Sequence, residues 1–271
     1  VAAMTASGVP APRPATRWTI LGAVGIVFAI PIVAMVEFTL RRGLEGGYDL
    51  SRWVTVLTGD LGPAYRPLGT AIGNSVALAL ATVAVVLVLL VPTMILVQLK
   101  LPALRRPLEF VCLLPISIPA IVLVVGLAPV YGVIARIAGS GVWTLAFAYG
   151  IVVLPFAYRA VQSNLDALDL ATLTEAARSL GASWPVVIVR VLLPNLRRGL
   201  LAAAFISVAV VLGEFTIASL LNRQNLQTAL VVVQKDDPFI AVIVALLALL
   251  FAFVLLLVIG RIGRGRTRRT P

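Results

Sequence analysis

Apolar residues run in long blocks along this chain, and polar residues are confined to the intervals between them. Six blocks reach the roughly 18–20 residues that a helix needs to cross a bilayer, at about 19–40, 70–97, 109–133, 142–161, 199–221 and 239–260. The last carries neither charge nor proline between Ile240 and Ile259. The first four contain Pro31, Pro92, the set Pro115, Pro119 and Pro129, and Pro155. Neighbouring helices can satisfy the carbonyls that a proline frees, so these positions predict kinks and not breaks. The pattern predicts an all-α, polytopic membrane protein of six transmembrane helices over 18–260, with a helical cytoplasmic loop at 162–198. A disordered tail at 1–17 and a basic tail at 261–271 flank it. The block starting at Trp18 is too long for a signal-peptide core and is read as a retained helix.

The longest polar interval carries its own helix signals. Residues 171–180 favour helix, and Asp166, Asp169 and Glu175 are biased toward the end where the helix dipole favours negative charge. Gly181 stands where a helix commonly ends in a left-handed residue. Ser183 can cap a second helix with Pro185 in its first turn, where the missing N–H costs nothing, and Pro194 is expected to close that helix. The prediction is a helix, a glycine turn and a second helix. Such a hairpin could pack under its own bundle, or its small Ala176 and Ala177 beside Leu180 could enter a groove on a partner protein.

Composition agrees with a bilayer. Of 271 residues, 61% are apolar and 12% charged, about half the charged fraction of soluble domains. The net charge of +11 does not point to nucleic acid, because the basic residues cluster at helix ends without interleaved aromatics. Even numbers of spans put both termini on one side. With the termini inside, 15 of the 22 basic residues fall inside and seven outside, which sets the orientation by the positive-inside rule. Arg41 and Arg42 oppose it and are outvoted. In the outer loop at 41–67, a short interfacial helix is expected around 51–57, with aromatics at headgroup level. The arginines at 261–269 are suited to the anionic inner leaflet.

The pattern Glu175-Ala176-Ala177, three residues, Gly181, nine residues, Val191-Leu192-Leu193-Pro194 resembles the signature loop of ATP-binding-cassette (ABC) importer permeases. The one departure is Val191 in place of isoleucine. Asn74-Ser75, the stretch LLPISIPAIVLVVGL at 113–127 and LPFAYRAV at 154–161 are similar to the same family. That resemblance implies a binding-protein-dependent importer of the MetI-like type: two permease subunits, a cytoplasmic ATPase dimer docked on these loops, and an extracytoplasmic substrate-binding protein. It also implies that Glu175, Ala176, Ala177, Leu180, Gly181, Leu193 and Pro194 form the ATPase-coupling loop. Gly213-Glu214-Phe215 resembles the branch that serves iron, polyamine, phosphonate, molybdate and thiamine uptake.

The chemistry available to the chain narrows the classes. Neither Lys100 nor Lys235, its only lysines, lies in the Gly-Lys-Ser/Thr turn of a P-loop, so ATP hydrolysis is expected in a separate subunit. There is no histidine, and no spaced nucleophile, base or ligand set that would mark an enzyme, a metal site or a cofactor. Cys112, the single cysteine, reads as a packing residue. The competing classes are an ion-coupled carrier and a non-transport membrane scaffold. A carrier would place ionisable groups deep in the bilayer, and Glu214 within the fifth block is the main candidate. It could line the solute pathway or hold a structural hydrogen bond. Asn74 and Ser75 could likewise face the pathway or bond between helices.

Overall fold

The computed structural model describes residues 14–43, 46–62 and 65–263. Most of the predicted tail at 1–17 and of the basic tail at 261–271 lies outside them. Among the described residues there is no strand, only an isolated bridge between Arg41 and Tyr48. The helices in order are α1 (Pro14–Leu40), α2 (Ser51–Thr58), α3 (Arg66–Lys100), α4 (Arg105–Leu113), α5 (Ala120–Ala138), α6 (Ala146–Leu165), α7 (Leu170–Ser179), α8 (Trp184–Val186), α9 (Leu193–Gly213), α10 (Thr216–Leu220), α11 (Leu226–Asp236) and α12 (Pro238–Gly263). Among the described residues, six helical stretches are long and apolar enough to cross a membrane.

Helices α3, α6 and α9 pack on one another and form the centre of the bundle. Their buried faces supply Val86, Leu90, Met94, Val153, Val161, Leu196 and Ala203 to the largest apolar cluster. The α6–α9 approach is close. A Cβ on Gly199 would stand 3.0 Å from the Ala160 carbonyl oxygen and 3.1 Å from Asn164, so glycine is what lets the two backbones meet there. Helix α12 packs against α9, α11, α2 and α1. α1 presents apolar side chains outward nearly all round, as a helix bathed in lipid can.

Proline acts differently at different sites. Pro31, Pro92, Pro129 and Pro155 lie inside continuous helices, as kinks would allow. Pro115 and Pro119 instead break the chain. α4 ends at Leu113, a 3-10 turn spans Leu114–Ser117, and Ile118 is extended before α5 begins at Ala120. Proline disfavours helical geometry in the residue before it, which forces Ile118 out of the helix. The third spanning stretch is therefore Ala120–Ala138, displaced from the expected 109–133.

The fifth stretch moves the other way. It runs from Trp184 to Gly213, where the sequence pattern placed 199–221. Pro194 does not close a helix. Val187–Leu192 forms a π-helical segment, and Pro194 lies in the first turn of α9 beyond it. The wider i to i+5 turn relieves the clash of the ring with the preceding carbonyls. Asn195 Nδ2 donates to the Val191 carbonyl at 2.7 Å, a side-chain bond in the turn that carries the ring. The hairpin's second arm and the fifth span are thus one continuous rod, Trp184–Gly213.

Candidate functional site

Two polar regions stand at opposite ends of the bundle. At the first, α7 starts on Asp169, whose carboxylate accepts from the Thr172 amide at 3.1 Å and its hydroxyl at 2.7 Å. These bonds hold the Asp169 carboxyl below its usual range by favouring the charged form. The helix ends in a complete Schellman turn. Gly181 N donates to Arg178 O at 2.9 Å and Ala182 N to Ala177 O at 3.1 Å, with Gly181 left-handed at φ 84°. A side chain at that φ is strained, so the glycine sets the turn. Ser183 makes no side-chain cap to the following helix, contrary to expectation; its carbonyl accepts from Val187 N instead.

The signature residues divide between two directions. Glu175, Ala176, Leu180, Gly181 and Pro194 are exposed. Leu180 stands out at 89% exposure, an apolar side chain at the tip of a polar hairpin. Ala177 and Leu193 turn inward and pack on the main core. The compact Ala176–Ala177 face expected from sequence is therefore split, one methyl outward and one inward.

Trp184 was not singled out by sequence reasoning, and it ties the hairpin to the second span. Lys100 Nζ, at the end of α3, lies 4.9 Å from its ring centroid, and the Arg178 guanidinium carbon lies 5.6 Å away. Arg178 also donates to Ala182 O at 3.0 Å. Nearby, Arg105 pairs with Asp166, which also accepts from Gln162. A tryptophan beside a glycine turn flanked by cations was the available signal.

The second region gathers Asn74, Ser75 and Glu214. Asn74 Nδ2 donates to Gln224 O at 2.9 Å, and Ser75 Oγ accepts from Leu226 N at 2.8 Å. Glu214 lies one residue beyond α9, at the end of the fifth span and not inside it. Both its carboxylate oxygens are 3.0 Å from Ile217 N. The carboxylate is engaged by the first turn of α10 in its own chain segment.

Asn225, which the sequence reading passed over, organises this end. It is fully buried. Its Nδ2 donates to Tyr149 Oη and to Glu214 O, both at 3.1 Å. With Thr228 it forms a reciprocal capping box at the start of α11, each bond 2.9 Å. The Asn-x-x-Thr spacing before an apolar run was the signal for it. Arg52 of α2 stacks on Phe239 at 4.1 Å and pairs with Asp237 at 3.7 Å, while Trp53 Nε1 donates to Thr39 Oγ1 at 3.0 Å. The expected interfacial helix is thereby strapped across α1 and α12.

Six helices long and apolar enough to span, with a capped polar hairpin between the fourth and fifth, define a multi-pass membrane protein. A family model described as the binding-protein-dependent transport system inner membrane component matches residues 98–268, and the chain belongs to that family. A probable ABC transporter permease protein, y4fN, of Sinorhizobium fredii (strain NBRC 101917 / NGR234) is 27% identical over 260 residues. The match covers 89% of this chain and 44% of the relative, so the chain spans less than half that protein's length.

Proposed function

We propose that this chain is the translocation subunit of an ATP-driven importer in the cell (plasma or inner) membrane, with both ends of the bundle's spans 1 and 6 that carry the termini facing the cytoplasm. A cytoplasmic ATPase dimer grips residues 175–181. A second permease subunit, identical or homologous, completes the pathway, and an extracytoplasmic binding protein delivers the solute. More than half of the relative lies outside the match, enough for a second bundle of this size, which supports a paired arrangement. The solute belongs to the small-solute range that polyamine, iron(III) and phosphonate importers serve.

The observation that carries this reading is the exposed Leu180–Gly181 tip on a hairpin continuous with the fifth span. A push on the tip is delivered to α9 as a rigid-body motion, because only the hydrogen-bonded turn at 180–183 separates the tip from the rod that begins at Trp184. Asn74, Ser75 and Glu214 act at the far end of that lever. Their bonds to 217 and 224–226 favour a fastening role at the outer mouth over direct contact with solute. Co-purification tests the reading. The wild-type chain is expected to retain an ATPase subunit, and Glu175→Lys with Gly181→Val to lose it together with solute uptake. Uptake that persists in the double variant, from a wild type that retains no ATPase, would favour an ion-coupled carrier. Absence of any ATPase and any transport in the wild type would favour a scaffold.

A further inference from the structure

A cleft of about 460 Å³ opens between α9 and α12, lined by Arg198, Leu201, Ala202, Phe205, Ile206, Leu256, Ile259 and Gly260. Its volume lies within the range of small-molecule sites, about 300–1,000 Å³. Its chemistry is sharply divided. Seven of the lining residues are apolar, and the one charged residue, Arg198, stands at the end of the cleft where α9 enters the bundle. Gly260 and the neighbouring Arg261 bring the last turn of α12 to the same end. The cleft is also open beside Gly260, where an added Cβ would meet no atom within 4 Å.

We propose that this cleft is a binding site for an anionic phospholipid, with an acyl chain along the apolar wall and the headgroup phosphate at Arg198 and Arg261. Both walls are helices long and apolar enough to span a membrane, so lipid has access to the cleft wherever a second subunit does not cover it. An apolar groove with a cationic end matches a lipid in both parts. Guanidinium groups bind phosphate through parallel charge-assisted hydrogen bonds, and basic pockets between transmembrane helices on the cytoplasmic side suit anionic headgroups. A free phosphate would gain nothing from the seven apolar residues, and a zwitterionic lipid would gain less at the arginines. Bound there, the lipid braces α12 against the rod formed by residues 184–213. The assignment of this end to the cytoplasmic leaflet rests on the orientation proposed above; the site itself does not.

Native mass spectrometry of the detergent-purified full chain tests this with two probes, phosphatidylglycerol and phosphatidylcholine of equal chain length. The wild type is expected to retain one phosphatidylglycerol about tenfold more tightly than phosphatidylcholine, the scale of a charged hydrogen-bond pair. Arg198→Gln should equalise the two lipids while keeping weak retention. Gly260→Leu, which fills the groove and favours helix, should lose both. Inorganic phosphate at equal concentration should not displace the lipid. Circular dichroism confirms that each variant folds; Arg198→Lys, which keeps the charge, should keep a preference for phosphatidylglycerol and supplies the control if Arg198→Gln does not fold. Equal wild-type retention of the two lipids, or unchanged binding in folded Gly260→Leu, would overturn the proposal. So would a lipid-free dimer that Gly260→Leu dissociates, because a second copy would then occupy the cleft. None of these outcomes depends on an ATPase, so failure here is separable from failure of the transport reading.

Discussion

The two polar ends of this bundle handle hydrogen bonds and apolar surface in opposite ways. At one end, Asn225 is fully buried and satisfied through Tyr149, Glu214 and Thr228, and Asn74 and Ser75 bind the passing backbone at 224 and 226. Polar groups there are spent on one another. At the hairpin end the backbone is closed by a Schellman turn, yet Leu180 is left almost wholly in solvent. Exposing such a side chain forgoes roughly 1.5–3 kcal/mol of burial. The Asn225 end is built to hold itself together, and the hairpin end leaves apolar surface uncovered.

The sharpest way to break that contrast is Leu180→Asp. It should reduce ATPase retention and uptake by at least about tenfold, because a charge now enters a desolvated contact. The melting temperature of the permease alone should not move, since Leu180 touches little within its own chain. Asn225→Ala should do the reverse. It orphans the Thr228 amide and leaves Tyr149 Oη and the Glu214 carbonyl with only their long 3.5 Å bond to each other, and buried unsatisfied groups cost about 1–3 kcal/mol each. Thermal unfolding in detergent should show destabilisation of about 3 kcal/mol with ATPase retention intact.

Smaller effects sharpen the same line. Trp184→Ala removes a ring held by two cations, an interaction of about 1 kcal/mol. Hairpin amides should then exchange roughly fivefold faster, and Trp184→Phe should restore most of the protection. The smallest effect concerns pH. The Asp169 carboxyl is held low by Thr172, so its cap is fully present above the ordinary aspartate value of about 3.9 and is lost as pH falls through the depressed one. Exchange at 172–174 should therefore rise only in the acid range below that value, and Asp169→Asn should abolish the rise.

What could be read from sequence follows from how local each signal is. The number of spans was legible because a bilayer-length apolar run needs no tertiary context, and Gly181 was legible because a helix-ending glycine is local chemistry. Span edges were less so. Pro115 and Pro119 look like Pro92 and Pro155 in a linear pattern, yet only the pair four residues apart broke its helix. Pro194 was misread as a terminator because the π-helical turn that accommodates it has no mark in the hydrophobic pattern. Glu214 looked deep only because the fifth span was placed too far along; once that span ends at Gly213, the acid lies at its edge. Asn225 and Trp184 were missed because their importance lies in partners far away in the chain, Tyr149 for one and Lys100 for the other.

Cross-linking at the hairpin tip tests the central claim most directly. Cys112 is buried at 2% exposure, so Leu180→Cys presents a single accessible thiol for a maleimide-linked photoprobe in native membranes. The account predicts an adduct with a subunit whose peptides include a Gly-Lys-Ser/Thr P-loop, lost when Gly181→Val distorts the turn. A tip that labels fully yet yields no P-loop adduct while the protein transports solute would contradict it.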